Sequence, residues 1–460
     1  MSLAELLLDH PFSDHQPLLH TIDQSVTAGD ARTNAREMGE RIASLGVGPG
    51  QAVAVQLPNG PAVVVAMTAI WLARGVFVPV NPRHPPAEVD KVLESVAPAA
   101  MIDGAGVRSL GGGRTYADDV AFVLWTSGTT GRPKPVLHTH TAYLELVDRV
   151  LAPLRAKPPR AGHEPSPNLI PVSLALNAGI YNVLFGLRAG APLVIMDRFE
   201  TATFATLVRR FGIRSTVAPP AAITMLNDDA AVTDLGPLKY VRSITAPLSP
   251  LQARRFTEKF GAFVLNSYGQ AEIGEVIGWT ARDAKEHPEK LGAIGRPHAG
   301  VDLRLSPEGE LLVRPPNMAA GYAGGGALSD RVRDDGFVRT GDVARIDADG
   351  FVWIEGRVSD LINRGGNKVF PEEVEEVLRL SPSVRDVAVV GVADDRLGEV
   401  PVAFVVTSSS LDAAALAAHC REHLVAYKVP VAFRRIGALP RTEVGKVLRR
   451  DLAATWERGG

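Results

Sequence analysis

The sequence predicts an α/β fold, with a large N-terminal domain of layered α/β subdomains that ends in a β-rich subdomain, and a small α+β C-terminal domain. Three observations predict it. Short apolar, β-branched runs alternate with helical periodicity as far as residue 266, the pattern of βαβ units. Beyond Gly295 the pattern changes to short strands separated by Asp/Gly turns. The 460 residues are enough for two or three folding units with ample core.

In chain order, residues 31–45 carry Ala35, Met38, Ile42 and Leu45 at helical spacing, and the Gly- and Pro-rich run 46–50 stops that helix. Strand 53–57, apolar helix 61–72 and strand 76–80 complete a first βαβ unit, and helix 86–93 leads to strand 99–103. The glycine-rich run 104–113 reads as a surface loop, which makes this subdomain short. Strand 121–125 and helix 139–154 come next, then strands 168–172, 192–196, 215–218, 243–246 and 262–266, with a helix at 250–260. Strands 302–305, 310–313, 337–339 and 351–354 form the β-rich part, and helices 371–380 and 412–424 belong to the last unit. The expected domains are 1–357 and 358–460.

Composition excludes several classes. A formal net charge of -2 with no Lys/Arg block argues against a nucleic-acid surface. Cys420 is the single cysteine, so neither a disulfide nor a thiolate metal site can form, and it reads as a packed helical thiol in an intracellular protein. There is no basic leader and no apolar run of ~18 residues, so a soluble, cytoplasmic protein without a membrane span is expected.

Four short constellations carry chemistry. After the apolar run 121–125 come Thr126, Ser127, Gly128, Thr129, Thr130 and Gly131, then Arg132, Pro133 and Lys134. Hydroxyls and backbone N–H groups can donate to phosphate oxygens, glycines permit close approach, and Lys134 adds a point charge. The run fits a triphosphate cradle, although taken alone it also fits a surface turn. The Walker arrangement is excluded, because Gly131 and Lys134 are not adjacent and Pro135 stands where Ser or Thr must bind Mg²⁺.

Tyr268, Gly269, Gln270, Ala271 and Glu272 end a strand with an aromatic face that can stack on a purine and a carboxylate that can hold Mg²⁺. The pair also fits a buried Tyr and a solvated Glu. Thr340-Gly341-Asp342 with Gly356-Arg357 supplies a carboxylate for vicinal hydroxyls and a nearby guanidinium, and Asp342 by itself also fits a turn. Pro440-Arg441-Thr442-Glu443-Val444-Gly445-Lys446 ends in a lysine that in isolation reads as a solvated charge.

Together, in this order, the four resemble the signatures of the adenylate-forming superfamily, which includes acyl-CoA synthetases, peptide-synthetase adenylation domains and beetle luciferases; the chain is most similar to a free-standing acyl-CoA synthetase. The resemblance runs from about Ala31 to Leu452. It implies activation of a carboxylic acid by ATP and Mg²⁺ to acyl-AMP with release of pyrophosphate, then transfer to the thiol of CoA, or of phosphopantetheine on a separate carrier protein. It makes Asp342 and Arg357 the ribose-binding pair, Lys446 the catalytic lysine together with Glu272, and Thr126 and Glu272 the metal ligands. Ala271 stands where the family motif has Thr, which removes one hydroxyl from the phosphate, worth about 1 kcal/mol. A non-catalytic nucleotide binder and a luciferase-type oxygenase are the rival classes; retention of Lys446, Glu272, Asp342 and Arg357 argues against the first, and nothing in the sequence separately supports the second.

The resemblance also places Asn177, Ala218, Thr245 and Ala246 in the acyl pocket. Asn177 stands where amino-acid-activating relatives have Asp, and a neutral amide cannot ion-pair with an ammonium, so a non-amino acid, such as an aryl or hydroxy acid, is expected. The C-terminal domain is expected to rotate about Ser359, where the family has Asp or Lys. No carrier domain follows Lys446 before Gly460, so the thiol is expected from free CoA or a separate carrier protein, and the resemblance to free-standing CoA ligases favours CoA; the sequence leaves the oligomeric state open.

Overall fold

A computed structural model describes residues 2–126, 134–155, 165–322, 328–407, 410–441 and 447–457. The chain packs as two compact units. The first comprises Met1–Leu291, Gly295–Asp302 and Arg314–Gly336, and the second Gly292–Ile294, Leu303–Val313 and Phe337–Gly460. The strands of the β-rich region thus group by packing with the C-terminal part, a partition different from a division at residue 358.

The first unit is layered α/β. Its nine-stranded sheet contains parallel strands Pro17–His20, Leu193–Ile195, Asn168–Ile170, Ser215–Ala218, Tyr240–Ser243 and Phe263–Gln270 side by side. Its seven-stranded sheet has a parallel centre of Val120–Thr126, Val76–Pro79, Ala52–Val55 and Ala100–Asp103. One apolar core joins Phe77 and Phe122 of the second sheet to Leu19, Ile170 and Ile195 of the first. The helix Pro61–Leu72 lies in that core and is buried continuously from Val63 to Trp71, which is why its sequence is apolar on every side. Amphipathic Ala28–Ser44, capped by the Thr27 hydroxyl on Asp30 N, packs Ala31, Ala35 and Ile42 against it.

The second unit holds a four-stranded sheet, ordered Asp302–Leu305, Glu310–Arg314, Val338–Ile346 and Val352–Arg357, and a five-stranded sheet under helices Pro371–Arg379 and Ala413–His423. Cys420 is fully buried there with Val374, Leu378 and Leu416, and burial pushes its thiol up to about 11, as a packed thiol requires. Among the described residues, no helix is long and apolar enough to cross a membrane.

The fold differs from expectation at four places. Residues 104–113 are not all loop: Gly106–Ser109 pairs antiparallel with Ala100–Asp103, because Asp103 Oδ1 accepts from Ala105 N (2.9 Å) and closes a tight turn at Gly104-Ala105. The strand expected at 243–246 lies earlier, at Tyr240–Ser243, since Thr245 adopts φ +77° and takes the chain out of the sheet. The N-terminal helix Glu5–Leu8 and the Pro17–His20 and Ser25–Thr27 strands carried no periodic signal long enough to read. The paired strands Val384–Asp394 and Gly398–Thr407 were also missed: they bury Val387, Val389, Ala403 and Val405 on one face and Ala388, Val390, Val402 and Phe404 on the other, so alternation is lost.

One core residue makes stability pH-dependent. His138 stacks on Phe122 at 4.8 Å between centroids, and burial pushes its pKa down from 6.5 to about 3. The unfolded chain therefore takes up the proton first, so stability present above pH 6.5 is lost as pH falls toward 3. Between pH 7 and pH 5 this amounts to on the order of 2 kcal/mol. In His138→Leu, the loss of unfolding free energy over that interval, measured in urea, should shrink by about that amount; an unchanged pH dependence would show that His138 does not titrate this way.

Candidate active site

The Val120–Thr126 and Lys134–Thr139 strands form an antiparallel hairpin in which Thr126 pairs with Lys134. Ser127, Gly128, Thr129, Thr130 and Gly131 lie outside the described residues, and of Thr126 only the backbone is described. Lys134 is exposed, and its ammonium sits 5.4 Å from the ring centroid of Tyr322, a cation–π contact.

The second constellation also falls on a hairpin, Phe263–Gln270 with Gly274–Gly278, and Glu272 lies in its turn. A bulge between Tyr268 and Gly269 lets the strands close up: a Cβ on Gly269 would lie 2.2 Å from Gly274 O, so only glycine fits. Tyr268 is half-buried and Glu272 is buried at 6% exposure, the reverse of a buried Tyr beside a solvated Glu.

Glu272 is held by two residues that sequence reasoning missed. Arg331 Nη1 and the Tyr322 hydroxyl each donate to its Oε1 at 2.9 Å, and Arg331 Nη2 donates to Gln270 Oε1 at 2.5 Å. Gln270 Nε2 in turn donates to the Tyr268 hydroxyl at 3.2 Å. Burial and the adjacent Glu272 carboxylate push the Tyr322 phenol up, so it stays a donor. The structure thus brings Lys134, Tyr268, Gln270 and Glu272 into one network through Tyr322 and Arg331. Ala271, in place of a threonine, packs its methyl with Val136, Ala319 and Leu328.

Beside this hairpin, the parallel strands end in step. Ala218 pairs with Ser243, and Ser243 with Asn266, so Ala218, Thr245, Ala246 and Tyr268 emerge from one carboxyl edge of the sheet. That edge is where open α/β sheets bind ligands. Thr245, a β-branched residue at φ +77°, carries backbone strain of order 1–3 kcal/mol there. Asn177 opens the helix Asn177–Arg188, and its Oδ1 accepts from the buried Tyr143 hydroxyl at 2.7 Å.

In the second unit, Asp342 and Arg357 face one another across paired strands, with Arg357 Nε 2.9 Å from Asp342 Oδ1 and Asp342 only 3% exposed. Gly341 turns the chain at φ +77°, and its N–H donates to Glu310 Oε1 (3.0 Å), while Arg339 grips Glu310 Oε2 from Nε and Nη2. Glu310 gave no sequence signal. Ser359 is exposed in the short turn Val358–Asp360 and donates its hydroxyl to Asp360. Lys446 lies outside the described residues; Arg441 and Val447 form an antiparallel bridge on either side of it. Three residues on, buried Arg449 binds Glu375, Glu372 (3.0 Å), Asp360 (3.4 Å) and Val389 O (2.8 Å). Burial works against its charge, but those carboxylates hold its pKa above the usual arginine value.

The model of the AMP-binding enzyme family matches residues 12–112 and 113–323, and that of the AMP-binding enzyme C-terminal domain matches 373–446. The chain belongs to the AMP-binding enzyme family. As a member of it, the chain is an adenylate-forming acid–thiol ligase. It is similar to 4-coumarate–CoA ligase 5 of Oryza sativa subsp. japonica, at 29% identity over 95% of this chain and 90% of the relative. Similarity to sulfoacetate–CoA ligase of Cupriavidus necator is 30% over 93% and 92%. That first alignment spans 500 positions against 460 residues here, so the relative carries segments this chain lacks. Among solved structures, ATP-bound MatB from Rhodopseudomonas palustris superposes with a TM-score of 0.87 at 24% identity, over 99% of both chains, which establishes the fold.

The Glu272 network has a measurable signature. Arg331→Leu leaves a buried carboxylate without its counter-charge and should cost about 2–3 kcal/mol, whereas Arg331→Leu combined with Glu272→Gln should recover part of it. A double-mutant cycle by chemical denaturation reads the coupling; additive losses would mean that the pair does not interact.

Proposed function

We propose that this AMP-forming ligase activates a non-amino carboxylic acid, an aryl or hydroxy acid bonded by Asn177, and passes the acyl group to CoA. The Asn177–Tyr143 contact carries the reading. With one lone pair of its carbonyl oxygen engaged by the Tyr143 hydroxyl, Asn177 presents mainly its two N–H donors, which suit a hydroxyl, carbonyl or carboxylate oxygen better than an ammonium. The relatives named above for coumarate and sulfoacetate likewise act on acids without an amine. A pyrophosphate-exchange panel of fatty, aryl, hydroxy and amino acids tests the acid, and mass spectrometry of the products with CoA tests the acceptor. Preference for an α-amino acid, or acyl-AMP without any acyl-CoA, would overturn the respective half.

A carboxylate is a poor electrophile because its leaving group is oxide; joined to AMP as a mixed anhydride, it gains a good one. The carboxylate oxygen attacks the α-phosphorus and pyrophosphate leaves, then the CoA thiol attacks the acyl carbon and AMP leaves. Charge builds on the α-phosphate and on pyrophosphate, so the chain's task is positioning and electrostatic stabilisation. We assign residues 126–134 to the β and γ phosphates, Tyr268 to the adenine face, and Asp342 with Arg357 to the ribose. Lys446 is assigned to the α-phosphate and the substrate carboxylate. Glu272 with the Thr126 hydroxyl forms a hard-oxygen set suited to Mg²⁺, since Tyr322 and Arg331 both donate to Oε1 and no described residue donates to Oε2. Bound there, Mg²⁺ supplies counter-charge to the phosphates.

The division at 357/358 is proposed as the functional one, with the C-terminal part turning about Ser359 so that Lys446 serves adenylation and then withdraws. Lys446→Ala should abolish acyl-AMP formation yet largely spare thioester formation from supplied acyl-AMP. Ser359→Pro, by fixing φ, should slow the second half-reaction more than the first. Equal loss of both half-reactions in Lys446→Ala would reject the two-state scheme.

A further inference from the structure

Beside Asn177, the first unit buries a polar cluster that the reaction as described does not use. Tyr181 lies one helical turn after Asn177, on the same face, and its ring is 6.5 Å from that of Tyr143. Its hydroxyl is buried and has no hydrogen-bond partner among the described residues. Arg149 belongs to the same helix as Tyr143, and both of its terminal nitrogens are buried without a partner. That helix is pressed onto the Gly274–Gly278 strand: a Cβ on Gly274 would lie 1.8 Å from Leu146 Cδ1. Arg149 stands one turn beyond Leu146, and Glu275 directly follows Gly274.

Glu275 eases the charge of Arg149 from a distance but makes no hydrogen bond to it. Its Oε1 is taken by Arg242, in a short ion pair, and by His298 Nε2 at 3.1 Å. Burial opposes both charges of the Arg242–Glu275 pair, and their mutual attraction outweighs it. Arg149 thus keeps two buried terminal nitrogens without an acceptor among the described residues, although Glu275 and Glu145 lie near enough to ease its charge. Burial lowers the pKa of that guanidinium and raises that of Tyr181, as desolvation of groups lacking partners requires. Buried guanidinium N–H groups without an acceptor are costly to fold, whereas Arg242 in the same cluster has a direct ion pair with Glu275.

We propose that Arg149 and Tyr181 form a subsite for a second oxyanion, a carboxylate or sulfonate, carried by the acid at the end remote from the carboxylate that is activated. The substrate is then a dianionic acid. Arg149 supplies a planar fork that matches an oxyanion bidentately, and the Tyr181 hydroxyl adds a neutral donor. This rests on the reading of Asn177 as part of the acyl pocket and narrows its substrate class.

The test is pyrophosphate exchange with a series of α,ω-dicarboxylates and ω-sulfonated acids of graded length, each against the uncharged ω-methyl ester or ω-amide of the same length. One diacid or sulfo acid should exceed its uncharged counterpart by about 100-fold in kcat/KM. In Arg149→Met that preference should vanish, chiefly through KM for the dianionic acid, while Arg149→Lys keeps part of it. The thermal midpoint of ligand-free Arg149→Met should equal or exceed that of the parent, since buried N–H groups without an acceptor have been removed; a structural arginine would give a drop. Preference for uncharged acids in the parent, or a dianion preference untouched by Arg149→Met, overturns the subsite but leaves acid activation standing. Exchange with no acid at all, in this series or the earlier panel, overturns the acid-activating reading itself.

Discussion

The register of the parallel strands constrains everything else in the first unit. Backbone hydrogen bonds set Thr216 beside Leu169, Ala218 beside Ser243, and Ser243 beside Asn266. The segment after each strand must therefore leave from one edge, and Asn177, Thr245 and Tyr268 are delivered there by short connections. A slip of one residue in any strand would exchange its buried and exposed faces, so the apolar core that fixes the register also fixes the site. Tyr240–Ser243 shows the cost of this arrangement: Val241 and Ser243 are buried on one face, and the other carries Arg242 into the polar cluster with Glu275.

A second regularity is electrostatic. Each carboxylate assigned to the nucleotide is fastened by an arginine, Glu272 by Arg331 and Asp342 by Arg357, and the turn that carries Asp342 is itself fastened through Glu310 and Arg339. Such pairs contribute little net stability but hold oxygens at fixed positions, which is what a site that stabilises developing phosphate charge requires. Arg449 extends the pattern beyond the site. It ties Asp360, the residue after Ser359, to the Pro371–Arg379 helix and to the segment three residues beyond Lys446. If the chain turns at Ser359, Asp360 and everything bound to Arg449 turn together, so a lysine far along the chain is carried by a pivot next to a single ion cluster.

Much of this was legible in the sequence, and the exceptions have physical causes. The βαβ region, the positions of Tyr268, Glu272 and Arg357 at strand ends and in a turn, and the packed state of Cys420 follow from local patterns that need only a few consecutive residues, whereas Asp342 lies inside the strand Val338–Ile346, which the sequence pattern ends at 339. The partners of those residues do not. Tyr322 and Arg331 reach Glu272 from 50 and 59 residues away, and Glu310 reaches Gly341 from 31, distances over which no periodicity operates. The Val384–Asp394 and Gly398–Thr407 strands failed for a different reason, since burial on both faces removes the alternation by which a strand is recognised. At Thr245 local propensity misled: a β-branched residue reads as strand, and the tertiary fold instead holds it in a left-handed turn.

The residues assigned to the nucleotide and those assigned to the acid are built by opposite rules. On the nucleotide side the described carboxylates are paired, as befits a ligand whose phosphates and ribose never vary, because preformed ion pairs leave nothing to rearrange. Among the groups proposed for the acid are a strained Thr245, and a Tyr181 hydroxyl and two Arg149 nitrogens that have no hydrogen-bond partner among the described residues. Folding tolerates these only because the surrounding core over-determines them: Leu146 is wedged against Gly274, Tyr143 is packed on Phe122, and Ile180 and Val183 are buried beneath the helix that carries Tyr181. Local conflicts of this kind gather where a protein trades stability for recognition. On the proposed reading, the acid is specified by an acceptor for a guanidinium and a phenol, which the described residues do not supply.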